Sequence, residues 1–314
     1  MFSKNIIGTA MGLVLGLGYT GNGFSLSFLG SFLLPTLTKS VGEHIAWQVC
    51  LAITGAVGIF AALFALFLAD DTPQTKYYTR RENQSEDGSK AKTSSIIQAS
   101  KHRGTWILAF QYAMSSGTNS ALLNIGTLYF VTQAGATSEA SSAITSAVGW
   151  LGVTCFIGGL LSDCANKKMG RLRGRYLVQL GHLVMEGILL IIFPFVKNLG
   201  ASAFLFITAS MMATWAVGST SALVPYVDKE CTGSVAGIVG FFGGAGGILM
   251  ISLSEYVSYM LTCVICGTLV LLSAFLALLL QLDDEDTSNN NVITETDDQS
   301  NALQQINHTK EEDV

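Results

Sequence analysis

Eight apolar runs, each long enough to cross the ~30 Å hydrocarbon core of a bilayer, constrain this chain more than any other feature. Continuous apolar runs of this length can satisfy their backbone in lipid only as helices, because barrel strands alternate apolar and polar residues. The runs are Ile6–Leu34, Ala46–Leu68, Thr105–Thr132, Ser141–Leu161, Tyr176–Val196, Ala201–Val227, Thr232–Leu253 and Val257–Leu282. Pro35 is expected to end the first. Only 12% of residues are charged, about half of what a soluble domain carries. The fold class is therefore an all-α polytopic membrane protein, with the lipid bilayer as its surroundings.

The charges set an orientation. With the N-terminus inside, fifteen of the seventeen Lys and Arg residues fall in cytoplasmic segments, and only Lys39 and Lys197 lie outside. An even number of spans then places both termini in the cytoplasm. The polar stretch from Thr72 to Arg103 reads as a cytoplasmic linker with room for a short surface helix. Residues 283–314 carry ten acids and one lysine, Lys310, and read as a disordered acidic tail.

Two of the spans are dense in glycine. GSVAGIVGFFGGAGG, from Gly233 to Gly247, has seven glycines in fifteen residues. Glycine is a poor helix former, so in lipid this density implies close backbone packing through small-xxx-small faces. Gly233/Gly237, Gly240/Gly244 and Gly243/Gly247 have that spacing. Near the start, GTAMGLVLGLGYTG (Gly8 to Gly21) has the same layout. An offset of 225 carries Gly8, Gly12, Gly18 and Gly21 onto Gly233, Gly237, Gly243 and Gly246. This register suggests an internal repeat, a device of secondary transporters; two unrelated, tightly packed helices are the alternative.

These segments resemble the nitrate/nitrite porter family of the major facilitator superfamily. GTAMGLVLGLGYTGNG is similar to the glycine signature of that family's fifth helix, Gly16 included, and PYVDKECTGSVAGIVGFFGGAGG to that of its eleventh. TWILAFQYAMSSGTNSALLNIGTLYF resembles its seventh helix, and GGLLSDCANKKMGRLRGR its loop between helices eight and nine. The resemblance implies an alternating-access transporter of a small anion such as nitrate or nitrite, in the plasma membrane. It implies that residues 1–71 are the last two helices of an N-terminal half and that 72–103 is the linker. Residues 104–282 would then be a six-helix C-terminal half. Four opening helices of the family pattern have no counterpart in this sequence.

The departures from the family pattern fall on its substrate site. The family holds its anion with two arginines, one in helix two and one in helix eight. The helix-eight position is Cys155 here, and a thiol cannot supply a guanidinium's charge or its fork of donors. No Lys or Arg lies mid-span anywhere in the chain. The asparagines that face the pathway in the two signatures are replaced by Tyr19 and Gly244. Tyr112 and Asn124 match family positions in helix seven, and Asn119 stands where the family often has an acid. Ser116, Asn119, Ser120 and Asn124 have the spacing of one polar helix face, which would serve substrate or interhelical hydrogen bonds.

Other polar groups invite roles. Asp163, followed by Lys168, Arg171 and Arg175, resembles the superfamily's cytoplasmic gating motif; topology control by positive charge is the plainer reading. His182 and Glu186 sit at i and i+4 well inside a span, which suggests either proton coupling or a packed polar pair. Cys263 and Cys266 form a CxxC in an apolar run and read as packing residues. No nucleotide-binding, protease or hydrolase motif stands out, and no cofactor, metal or nucleic-acid partner is implied. Three readings remain open. The chain is a porter lacking its first four helices, a transporter of another small solute, or a non-transporting partner or remnant of a complete porter.

Overall fold

The computed structural model describes residues 6–68, 88–169, 172–228 and 231–279, and their regular structure is entirely helical. The first half of the linker (residues 72–87), Arg171 and the acidic tail lie outside the described residues. The first span is α1 (Ile7–Phe24), which passes through a π-helical stretch (Ser25–Leu33) into α2 (Leu34–Val41). Pro35 therefore does not end the helix as expected. It sits in the first turn of α2, directly after the π-helical stretch, whose wider turns leave room for a residue that lacks an N–H and crowds the preceding turn. α3 is Glu43–Leu68, and α4 (Gly88–Lys101) is the short helix expected in the linker.

The remaining chain forms a tight bundle. α5 is Arg103–Thr132 and α6 is Ser138–Trp150, which a 3-10 turn (Leu151–Thr154) joins to α7 (Cys155–Met169). α8 is Arg173–Ile192, α9 is Leu199–Leu223, α10 is Thr232–Tyr256 and α11 is Tyr259–Leu276. Asn198 and Ser258 cap α9 and α11 through their side chains, accepting from the amides of Ala201 and Leu261.

Among the described residues six helical runs are long and apolar enough to cross a membrane: α3, α6–α7, α8, α9, α10 and α11; of the eight runs expected to span, α1 and α5 do not meet the criterion. The helix over Arg103–Thr132 fails that criterion for a physical reason. α5 is the hub of the bundle, packing on α6, α9, α10 and α11, with nineteen of its thirty residues buried. It spends that interior face on Gln111, Ser115, Ser116, Thr118 and Asn119 as well as on apolar residues. At its C-terminal end Tyr129 and Phe130 meet Phe193 and Phe206 edge-on, at centroid distances of 5.1 and 5.2 Å. α8 and α11 approach through Gly187 and Gly267, whose added Cβ atoms would each lie 2.8 Å from the other's carbonyl oxygen.

α1 docks on this bundle and touches α6, α7 and α9. α3 packs mainly on α2, and Ala46 is its one buried side chain among those described. Its apolar surface is therefore open to lipid or to another helix on nearly every side.

Candidate functional site

The α1–α7 seam is built from backbone. Gly8, Gly12 and Gly16 recur every four residues on one face of α1. A Cβ at Gly8 would lie 2.8 Å from the Gly159 carbonyl oxygen. At Gly12 it would lie 2.9 Å from the Phe156 Cα, and at Gly16 2.7 Å from the Val153 oxygen. Gly159 and Gly152 reciprocate from the other side, meeting Gly8 and Tyr19. Further along, Gly23 lies against Gly149 and Trp150, and the Trp150 Nε1 donates to the Ser27 hydroxyl at 2.9 Å.

Asp163 closes this seam at the N-terminal end of α1. Its carboxylate is buried and accepts from the backbone amides of Gly8 and Thr9 at 3.2 and 2.7 Å, and from the Thr9 hydroxyl at 2.7 Å. Arg175, fully buried in the first turn of α8, pairs with the same carboxylate at 2.8 Å and lies over the Tyr226 ring. The acid thus meets the positive N-terminal end of α1 and a guanidinium at once. Of the other basic residues in the motif, Lys168 is exposed at the end of α7 and forms no ion pair among the described residues. Arg171 lies outside them. Thr9 is a member of the clamp that sequence reasoning missed; only the fold brings it to Asp163.

The polar residues expected along a pathway divide into three groups. Tyr19 reaches across from α1 to α5, its hydroxyl 3.1 Å from that of Ser116. It packs in one cluster with Tyr112 and the fully buried Cys155. Asn119 turns into the bundle instead. It accepts from Ser210 at 2.6 Å and donates to Thr214 at 3.5 Å, both on α9. Asn124 is exposed and donates to the Ser120 carbonyl of its own helix. The single polar face implied by the spacing is therefore not one site. Tyr19, Ser116, Tyr112 and Cys155 come together, whereas Asn119 is spent on interhelical bonds.

His182 and Glu186 do not pair. The His182 Nδ1 lies 3.2 Å from the Ser219 hydroxyl, within a network that includes Gln179 and Thr220 on α8 and α9. Glu186 has no exposed surface, and neither carboxyl oxygen has a hydrogen-bond partner. It lies on the α8–α11 side of the bundle, next to Gly187, which packs on Gly267. The clamp and Tyr19 are elsewhere, on the α1 seam. Cys263 and Cys266 are buried free thiols that pack in the core, with the Cys266 sulfur 3.1 Å from that of Met250. Among the described residues no cluster of His, Cys, Asp and Glu could hold a metal.

The two glycine signatures use complementary faces. In α10, Gly243, Gly246 and Gly247 pack on Tyr112, Ala113 and Ser120 of α5. Gly233, Gly237, Gly240 and Gly244 meet nothing within 4 Å, so two of the three small-xxx-small pairs expected to pack have no partner here. In α1 the pattern inverts: Gly8 and Gly12 are packed, while Gly18 and Gly21 meet nothing within 4 Å. Under the offset of 225, open Gly233/Gly237 corresponds to filled Gly8/Gly12, and open Gly18/Gly21 to filled Gly243/Gly246; Gly240/Gly244 falls on Leu15 and Tyr19 and has no glycine mate. In comparison with known sequences, residues 1–251 match the Major Facilitator Superfamily.

The chain belongs to the Major Facilitator Superfamily. Members of this family are transporters, and this chain resembles its nitrate/nitrite porters, as the signatures imply. It is 27% identical over 79% of its length to "High affinity nitrate transporter 2.7" of Arabidopsis thaliana, covering 53% of that protein. It is 27% identical over 78% of its length to "Nitrate transporter 2.2" of Chlamydomonas reinhardtii, covering 48% of it. "High-affinity nitrate transporter 2.3" of Oryza sativa subsp. japonica is 26% identical over 79% of the chain. The chain spans about half the length of the curated relatives it matches.

Proposed function

We propose that this chain forms part of an alternating-access transporter of the nitrate/nitrite type, in the plasma membrane with both termini cytoplasmic. The observation that carries this reading is the Asp163 clamp. It joins α1, assigned to the first half of the porter, to α7 and α8 of the second. Such a charge-assisted contact between halves can open and close as a unit. Further helices would seat on the open faces of Gly18/Gly21 and Gly233/Gly237 in the complete transporter. The test is uptake of isotopically labelled nitrate by cells expressing the chain alone and with an N-terminal half from a relative. Uptake only with the added half supports the proposal; folded protein with no uptake and no nitrate binding in either case overturns it.

Substrate is the finer question. The described spans hold no mid-span Lys or Arg, so an anion near Tyr19 would lack a counter-charge from this chain. That favours a less anionic solute as the second reading. Cys155 makes the point testable. It is fully buried in the cluster with Tyr19 and Tyr112, so Cys155→Arg alone inserts an unaccommodated charge and is expected to destabilise the protein by about 3 kcal/mol or more. Combining it with Tyr19→Asn removes a ring from the same cluster and is expected to recover stability and, with the added half present, nitrate binding. Thermal unfolding and labelled-nitrate binding check both statements.

For Glu186 we propose a packing role. Its carboxyl is buried, unbonded and remote from the α1 seam. Glu186→Met is expected to raise stability by about 1–3 kcal/mol, the cost of an unsatisfied buried polar group. Glu186→Gln should leave pH-driven uptake intact. Loss of that uptake in a folded variant would assign proton coupling to Glu186 instead.

A further inference from the structure

A cavity of about 530 Å³ opens at the end of the bundle where α4 meets α5, lined by Lys101, His102, Arg103, Gly104, Ile107, Val227 and Leu278. Its volume is in the range of small-ligand clefts. It lies where three segments meet: the end of α4, the start of α5 and the turn after α11. Lys101 and Arg103 are exposed and form no ion pair among the described residues. His102 is engaged with Asp228, which also accepts from Gln98. The free charge of the pocket is therefore two cations.

We propose that this pocket receives the chain's own acidic segment, Asp283-Asp284-Glu285-Asp286. Two observations select that occupant. Leu278 is in the pocket wall, and Asp283 follows it by five residues, a reach of about 17 Å when extended. The segment from Asp283 to Asp298 holds seven acids and no Lys or Arg, so its charge complements Lys101 and Arg103. Tethering at this distance gives an effective concentration of order mM, enough for weak charge pairs to form. Docking would also have a mechanical effect. α4 is tied to α10 through the Ser95 and Ser234 hydroxyls, 2.6 Å apart, and leads directly into the pocket. A seated tail would hold the linker helix against the second half of the protein.

The test uses the full chain in nanodiscs of zwitterionic lipid. A variant with Asp283, Asp284, Glu285 and Asp286 changed to their amides is compared with the unaltered chain by hydrogen exchange over residues 101–107. The neutral tail is expected to expose this segment several-fold, as is raising salt from about 0.05 to about 0.5 M in the unaltered chain. A labelled synthetic peptide of residues 281–298 should bind the neutral-tail protein, and adding K101Q and R103Q should weaken that binding about tenfold. Absence of peptide binding, or equal binding with and without the two lysine and arginine changes, overturns the proposal. Protection of 101–107 by phosphatidylserine in the nanodisc, independent of the tail's charge, would assign the pocket to a lipid surface and likewise overturn it.

Discussion

Asp163→Ala is expected to cost about 3–5 kcal/mol and to free the N-terminal end of α1. The estimate rests on what the substitution strands. Arg175 has no exposed surface and sits 2.8 Å from the Asp163 carboxylate. Without the acid, a buried guanidinium loses its counter-charge, which is the costly half of breaking a buried pair. Two amides and one hydroxyl at the start of α1 lose their acceptor in the same step. Arg175→Gln is expected to cost less, because the carboxylate keeps its bonds to Gly8 and Thr9. Changing both residues should cost less than the sum of the two single changes, since each removes part of one network. Thermal unfolding in detergent measures the cycle, and cysteine labelling at Ala10 reports whether the end of α1 has come loose. Unchanged stability and unchanged labelling in Asp163→Ala would remove the clamp from the functional account.

Helical spacing and glycine density are local properties, and they were readable without a structure. The helical bundle and the correspondence between the two signatures follow from them, whereas the linker sequence only left room for α4. What could not be read is which side of each helix meets which neighbour. Asn119 and Ser116 are three residues apart on α5, yet one turns to Ser210 and Thr214 while the other meets Tyr19. The bundle interior and the α1 seam lie on either side of α5, and spacing alone does not separate them. Pro35 misled for a different reason. A proline marks the end of a regular helix, but a π-helical stretch ahead of it changes the hydrogen-bond register, and sequence carries little signal for that. His182 and Glu186 show the same limit. Their spacing permits a pair, but α9 offers His182 a hydroxyl and leaves Glu186 without a partner.

The sharpest use of the glycine faces is a change of sign. Gly12→Ala and Gly18→Ala add the same methyl group to the same helix, six residues apart. Alanine is the better helix former by about 0.5–1 kcal/mol, so where there is room the substitution should stabilise. At Gly18 there is nothing within 4 Å, and Gly18→Ala is expected to raise stability by that amount. At Gly12 the new Cβ would lie 2.9 Å from the Phe156 Cα and 3.0 Å from the Cys155 oxygen. Those are backbone atoms and cannot rotate away. The seam must widen, and widening it also pulls Gly8 and Thr9 from Asp163, so a loss of about 3 kcal/mol or more is expected. Gly237→Ala belongs with Gly18→Ala in the chain alone. Its repeat mate is Gly12, however, and that relation makes a second prediction. If a helix of an added N-terminal half seats on Gly237 as α7 seats on Gly12, supplying that half should turn Gly237→Ala from mildly stabilising to strongly disruptive. Gly18→Ala should reverse in the same way, because its mate Gly243 lies against the Tyr112 ring. Thermal unfolding of both variants, with and without the added half, reads the signs directly. Glycines that stay tolerant of alanine in the complete assembly would mean that the two signatures do not share a packing plan, and the repeat would then be a coincidence of composition.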